Sequence, residues 1–188
     1  MLILEQTNTR TAQISLEAKL LQSNYIFLCG EIDTDMITEC QCKLMYITSI
    51  INKTVPIKIC INSPGGSVYD CLGLYDLIQF YIKKGYVIET LNMGKACSAA
   101  AIIAMSGSPG HRYAFPNSTF LLHQPSSGTI GTVTDMTIEL EECQRLKLIL
   151  EDIVRKHASS DLIPYMERDK YISVQEALKY NIIDAIKQ

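Results

Sequence analysis

What this 188-residue sequence lacks narrows its function first. It has no basic tract and a net charge of −3, so it carries no electrostatic footprint for nucleic acid. It has no apolar run approaching the roughly 18–20 residues of a membrane-spanning helix. The opening MLILEQTNTR has neither the basic start nor the long apolar core of a secretion signal. Internal repeats and low-complexity segments are missing too. A soluble, cytoplasmic protein with no nucleic-acid or membrane partner is expected. Histidine is scarce, with only three residues. Cysteine is not, but seven is an odd number and the residues are scattered. The pair Cys40 and Cys42 has no second pair or nearby histidine to complete a zinc tetrahedron, so no metal site is expected and the thiols read as reduced and mostly buried.

What is present is a globular chain. Hydrophobic residues make up 47% and charged ones 20%, and the length suits one domain with a sizeable core. Short apolar runs rich in Ile, Val, Phe and Tyr predict strands at 25–30, 57–62, 86–90, 111–115 and 119–123, with a short last one within 182–186. Between them, helical spacing predicts α-helices over 35–51 (Met36, Cys40, Leu44, Ile47) and 68–82 (Cys71, Leu72, Tyr75, Ile78, Ile82). A long helix over 134–157 is acidic and polar in its first half and apolar in its second, at Leu146, Ile149, Leu150 and Ile153. Ser173 and Glu176 form a capping box that opens a short helix to Tyr180. Alternating strands and helices argue for an α/β domain, and the late helical bias argues for a protruding extension.

Three stretches carry chemistry. NSPGGSV (62–68) places paired glycines at the carboxyl end of a strand, where open α/β sheets bind ligands. It lacks the Gly-Lys-[Ser/Thr] of a phosphate loop, which leaves a tight turn or a backbone-donor site. FLLHQP (120–125) ejects His123 from a sheet, because proline does not continue a ladder. GKACSAAA (94–101) sets Ser98 at a strand-to-helix junction, as a nucleophile or as the N-cap of a tightly packed helix.

A serine nucleophile needs a base within hydrogen-bond reach, itself held by a third group. His157 falls at the C-terminal end of the long helix, where a cation suits the helix dipole, and His111 lies in a turn. His123 is therefore the best base by elimination. Asp161, Asp169 and Asp184 all remain open as the orienting carboxylate. A helix beginning at the nucleophile offers the N–H of Ala99 to an oxyanion, with a second donor available at the Gly65–Gly66 pair. Ala96 and Ala100 stand where the α/β-hydrolase G-x-S-x-G elbow has glycines, so a different scaffold is needed.

Those stretches resemble ClpP, the proteolytic subunit family of the ATP-dependent Clp proteases, over nearly the full chain. TLNMGKACSAAA (90–101) resembles the family's serine signature and RYAFPNSTFLLHQP (112–125) its histidine signature. INSPGG, ERDKYIS, LEQT and TDMTIELEE are similar to other family segments in the same order. The resemblance implies a ClpP/crotonase-like α/β fold: one domain over 1–188, with an axial N-terminal segment at 1–20, a compact head and a helical handle at 126–157. It implies a serine endopeptidase with Ser98, His123 and Asp169 as the catalytic triad and Gly66 and Ala99 as the oxyanion hole. Ser126, Ser127 and Gly128 would pair with substrate as an added strand. It further implies two stacked heptameric rings, a hexameric AAA+ ATPase of the ClpX, ClpA or ClpC type, unfolded polypeptide substrates, and no cofactor beyond the partner's ATP.

Departures from the family pattern accompany the matches. Ala99 and Ala100 follow the serine where many relatives have Met and Gly. Lys58 and Cys60 replace two tyrosines of the ATPase-docking groove. Thr132 and Asp135 stand where Gln and Glu reach the arginine beside the catalytic aspartate, here Arg168, for an inter-ring contact. The alternative is a catalytically weak or regulatory member acting in a mixed ring with a second ClpP. An acyl-CoA-binding crotonase and a Cys97 nucleophile are further rivals. With no cleavable segment ahead of the matching region, little N-terminal processing is expected.

Overall fold

The computed structural model describes residues 1–6 and 11–188. Thr7 of LEQT and part of the expected axial segment 1–20 lie outside the described residues. Strands β1 (Leu2–Gln6) and β2 (Thr11–Ser15) pair antiparallel and lead into helix α1 (Leu16–Gln22), none of which the apolar pattern predicted.

The main sheet has seven strands. β3 (Tyr25–Ile32), β4 (Ile57–Gly66), β5 (Ile88–Cys97), β6 (Arg112–Ala114) and β9 (Ala185–Ile186) follow one another in space, every neighbour parallel. β7 (Thr119–Leu122) joins the carboxyl end of β5, and β8 (Lys170–Ser173) pairs antiparallel with β7. The α/β class follows the sequence expectation, but β3, β4 and β5 run past their expected ends and β8 was not among the expected strands. β4 runs through Pro64 into the glycine pair and β5 runs on to Cys97, because Ser63 partners Ala96 and Gly65 partners Glu31. The register shifts at both places, and such an irregularity lets a proline sit inside a strand.

Helices α2 (Thr34–Ile50), α3 (Val68–Lys83) and α4 (Ala99–Met105) supply much of the core. Asp33 caps α2 through the N–H of Met36 (2.8 Å), and Ser67 caps α3. Ile57, Ile59 and Ile61 of β4 join Leu44 and Ile47 of α2, Leu74 and Ile78 of α3, and every residue of α4 in the buried cluster. Cys40 lies in that core while Cys42 is exposed, so the C-x-C pair cannot converge on an ion. Met36, Leu72 and Ile82 pack only at the edge of the core.

Helix α5 (Val133–His157) is the long helix expected over 134–157, and it divides in two. Leu146, Leu150, Ile153 and Val154 are buried, whereas Val133, Met136, Ile138 and Leu140 are exposed. The end of α5 corrects one expectation. His157 is not a solvent-facing cation that complements the helix dipole; its ring packs edge-on against Tyr75, with Nε2 2.9 Å from the hydroxyl. Burial, then the charges of Arg112 and Lys156, push it down to about 4, so it is neutral. A 3-10 helix (Ser160–Glu167), β8 and α6 (Val174–Lys179) complete the chain, and the capping box of Ser173 and Glu176 is present. Among the described residues no helix is long and apolar enough to cross a membrane.

Candidate active site

The site gathers at the carboxyl ends of β4, β5 and β7. Ser98 occupies the one-residue junction between β5 and α4, at φ 54° and ψ −125°, a left-handed conformation costly for a residue with a Cβ. Its own N–H donates to the carbonyl of Leu121 at 2.8 Å, which ties the turn to β7. Ser98 stands at the N-cap position of α4, yet its side chain makes no capping bond. The hydroxyl lies instead 2.7 Å from His123 Nε2. The reading of Ser98 as a helix cap is thereby set aside, and the strained turn presents the side chain outward as a nucleophile elbow does. The flanking Ala96 and Ala100 are fully buried, so small residues here serve close packing.

The glycine pair makes that turn possible. A Cβ on Gly65 would lie 2.6 Å from the Cys97 carbonyl oxygen and 2.8 Å from Ser98 Cβ, and its φ of +94° already excludes most side chains. Gly66 is pinned on its other side, where a Cβ would meet the Ile32 carbonyl oxygen at 2.1 Å. The backbone of β4 thus passes against the Ser98–Ala99 junction with no side chain between them. Gly66 also borders a cavity of about 250 Å³ together with Ser126, Ser127, Tyr69 and Glu142.

His123 follows directly on β7. Its Nδ1 is 3.3 Å from Asp169 Oδ1, leaving the side chains of His123 and Asp169 29% and 64% exposed. The β7–β8 ladder accounts for the meeting: Leu122 partners Lys170, so the next residue outward on each strand is His123 and Asp169. Of the three carboxylates open to sequence reasoning, Asp184 binds Arg112 instead. Asp161 opens the 3-10 helix, its N–H bonded to Ser159 Oγ at 3.3 Å.

Residues 126–130 ladder with no strand among the described residues and are exposed, with Gly128 open on the side a Cβ would occupy. Ser127 Oγ donates to Glu139 of α5. Thr132 and Asp135 are committed to each other as the capping box of α5, and bonds from Thr132 hold the Asp135 carboxyl below its usual range. Arg168 lines an open hollow with His123 and Asp169 and makes no ion pair among the described residues. Beneath the site, Val68, Ile102, Leu122, Leu150 and Met166 form a small apolar pocket against Ser98 and His123, a lining that strand and helix periodicity alone did not single out.

Cys97 is half-buried, and burial pushes its thiol up, which disfavours the thiolate a cysteine nucleophile needs. Lys58 and Cys60 lie on the face of β4 opposite the isoleucine core. Lys58 donates to the Tyr25 hydroxyl (3.1 Å) and covers that ring, while burial pushes Cys60 up to about 11.

The site is therefore a hydroxyl, an imidazole and a carboxylate in line, set at the strand ends of a parallel α/β sheet. The Clp protease family profile matches residues 7–188. The chain belongs to the Clp protease family, whose members are ClpP-type peptidases, and its fold is that of the family.

Proposed function

We propose that this chain is a serine endopeptidase that hydrolyses peptide bonds of unfolded proteins. Ser98 is the nucleophile, His123 the general base and Asp169 the group that orients the imidazole. The observation that carries the reading is the 2.7 Å approach of Ser98 Oγ to His123 Nε2 from a strained turn whose hydroxyl caps nothing. In the acylation step Ser98 Oγ bonds to the substrate carbonyl carbon as its proton passes to His123 Nε2. The N–H groups of Gly66 and Ala99 receive the oxyanion, and α4 directs its N-terminal dipole there. The imidazolium then protonates the leaving amine, the C–N bond breaks, and water reverses the sequence to release the acid and free Ser98. An extended substrate lies along Ser126, Ser127 and Gly128 as an added strand. This chemistry needs no metal or organic cofactor, the ATP being spent by a partner AAA+ ATPase.

In the proposed assembly two heptameric rings enclose the sites, residues 126–157 acting as handles and 1–20 as the axial segment. The exposed Met136, Ile138 and Leu140 on α5 support a helix built to be covered by another copy. A second reading, a weakly active or regulatory subunit in a mixed ring, is favoured by the open carboxylate of Asp169 and by the engagement of Asp135 with Thr132. Labelling with a serine-reactive fluorophosphonate, on each species separated by native mass, tests both. Labelling that disappears in Ser98→Ala supports the peptidase. A chain that stays unlabelled alone and in every assembly would refute it, whereas labelling only in a mixed ring favours the second reading.

A further inference from the structure

Asp169 poses a mechanical problem. Its side chain is 64% exposed, and the contact it makes is the 3.3 Å approach to His123. Burial therefore does not hold it, and a carboxylate that orients an imidazole must be held by something. The backbone before it leaves the 3-10 helix at Glu167, after the buried Met166, and enters the β7–β8 ladder at Lys170. Residues 167–169 are thus a short span between two anchors. The far anchor is the ladder, where Lys170 partners Leu122.

The near anchor is one residue. The backbone N–H of Gln124 donates to the Met166 carbonyl at 2.5 Å, and its side-chain Nε2 donates to the Glu167 carbonyl at 3.0 Å. Gln124 directly follows His123, so the residue chained to the base grips Met166, just before the span, and Glu167, its first residue. Lys147 of α5 reaches the same segment through Glu167 Oε1 at 2.5 Å. That pair is solvent-exposed and screened, and such pairs contribute little.

We propose that Gln124 is a positioning residue: its side-chain hydrogen bond to Glu167, beside the backbone bond to Met166, sets the spacing between His123 and Asp169. It rests on the serine-peptidase reading. The amide acts through Asp169 and touches neither substrate nor oxyanion. Leucine would keep the volume and the backbone bond to Met166 and remove the Nε2 donor to Glu167. Asparagine is one methylene short of the Glu167 carbonyl.

The test is a double-mutant cycle on the assembled full-length chain, read as the rate of Ser98 labelling by a fluorophosphonate. That readout bypasses peptide binding. Gln124→Leu slows labelling about 10-fold, and Asp169→Asn about 100-fold or more. The double variant is no slower than Asp169→Asn within about 2-fold, because groups acting as one unit are non-additive. A purely structural defect would multiply instead. Gln124→Leu at the wild-type rate, or a double variant that shows the full product of the two losses, overturns the proposal. Native mass and thermal melting identify a variant that fails to fold, in which case Gln124→Asn carries the same cycle. A wild-type chain that does not label at all overturns the peptidase reading and this inference with it.

Discussion

Two aspartates in this chain each stand beside a histidine neighbourhood, and they are held on opposite terms. Asp184 receives the backbone N–H of Arg112 (3.0 Å), its Nε (3.0 Å) and its Nη2 (2.6 Å), and the same guanidinium binds the carbonyls of His157 and Asn181. Burial alone would raise the Asp184 carboxyl, but the bonds from Arg112 outweigh it and hold the group below its usual range. Asp169 has one 3.3 Å contact and an open face to solvent. The first arrangement locks β6, the end of α5 and the C-terminal strand together through a charge that is fully satisfied. The second leaves an imidazole free to take and return a proton. Three fixed bonds suit a carboxylate that holds elements together, whereas in the proposed mechanism the partner of an imidazole that gains and loses a proton is better left lightly held.

The comparison breaks most sharply at Ser98 and His123. Ser98→Ala and His123→Ala should each lower peptide hydrolysis by at least about 10³-fold, with thermal melting unchanged, measured as kcat/KM on a short fluorogenic peptide. Asp169→Asn should cost about 10²- to 10⁴-fold and leave stability within about 0.5 kcal/mol, since the side chain is exposed. Asp184→Ala should do the reverse. Losing one partner of the Arg112 pair should remove about 3 kcal/mol of folding stability in denaturant titration, with kcat retained in the fraction that stays folded.

Acid sharpens the contrast further. The folded His157 titrates at about 4, below the ordinary value of the unfolded chain, so the unfolded state binds more protons between those pH values. Stability is therefore complete above about pH 6.5 and falls as the pH drops toward 4. The loss should be about 1–2 kcal/mol, after allowance for the part of the ring that water reaches. His157→Gln should flatten that slope in melting curves taken from pH 7 to 4.5. The Asp184 carboxyl, also depressed, adds its loss only below about pH 4, where the unfolded group takes a proton and the folded one stays charged. The smallest effect is expected at Cys97. Cys97→Ala should keep peptide hydrolysis within about 3-fold, and a dead variant would move the nucleophile to sulfur.

Several parts of this molecule were legible before any fold was seen, and for identifiable reasons. Ile57, Ile59 and Ile61 announce a buried strand because periodicity is a local property of a pleated backbone. Ser173 and Glu176 announce a helix start because capping involves residues three apart. Ser98 and His123 stood out because each breaks a local pattern, a serine among alanines and a histidine before Gln-Pro. Other parts gave weak local signals. The hairpin of β1 and β2 has little apolar alternation, and the extensions of β4 and β5 exist only because neighbouring strands pair with them. His157 misled, because the end of a helix suggests a solvated cation unless Tyr75 and Arg112 are known to surround it.

By itself the sequence determined the α/β class, most of the elements, the serine at a strand-to-helix junction and the histidine that ends an apolar strand before Gln-Pro. It also carried the motifs by which the family is known. Spacing left three aspartates open and the family resemblance pointed to Asp169; what brings that one to His123 is the antiparallel register of β7 with β8, a pairing between strands far apart in the chain. Only the tertiary structure showed that Gly65 is where the backbone of β4 closes against the Ser98 turn, and that Gln124 reaches Glu167. Local chemistry is written in neighbouring residues. Distances between residues remote in sequence are set by the packing of the whole sheet.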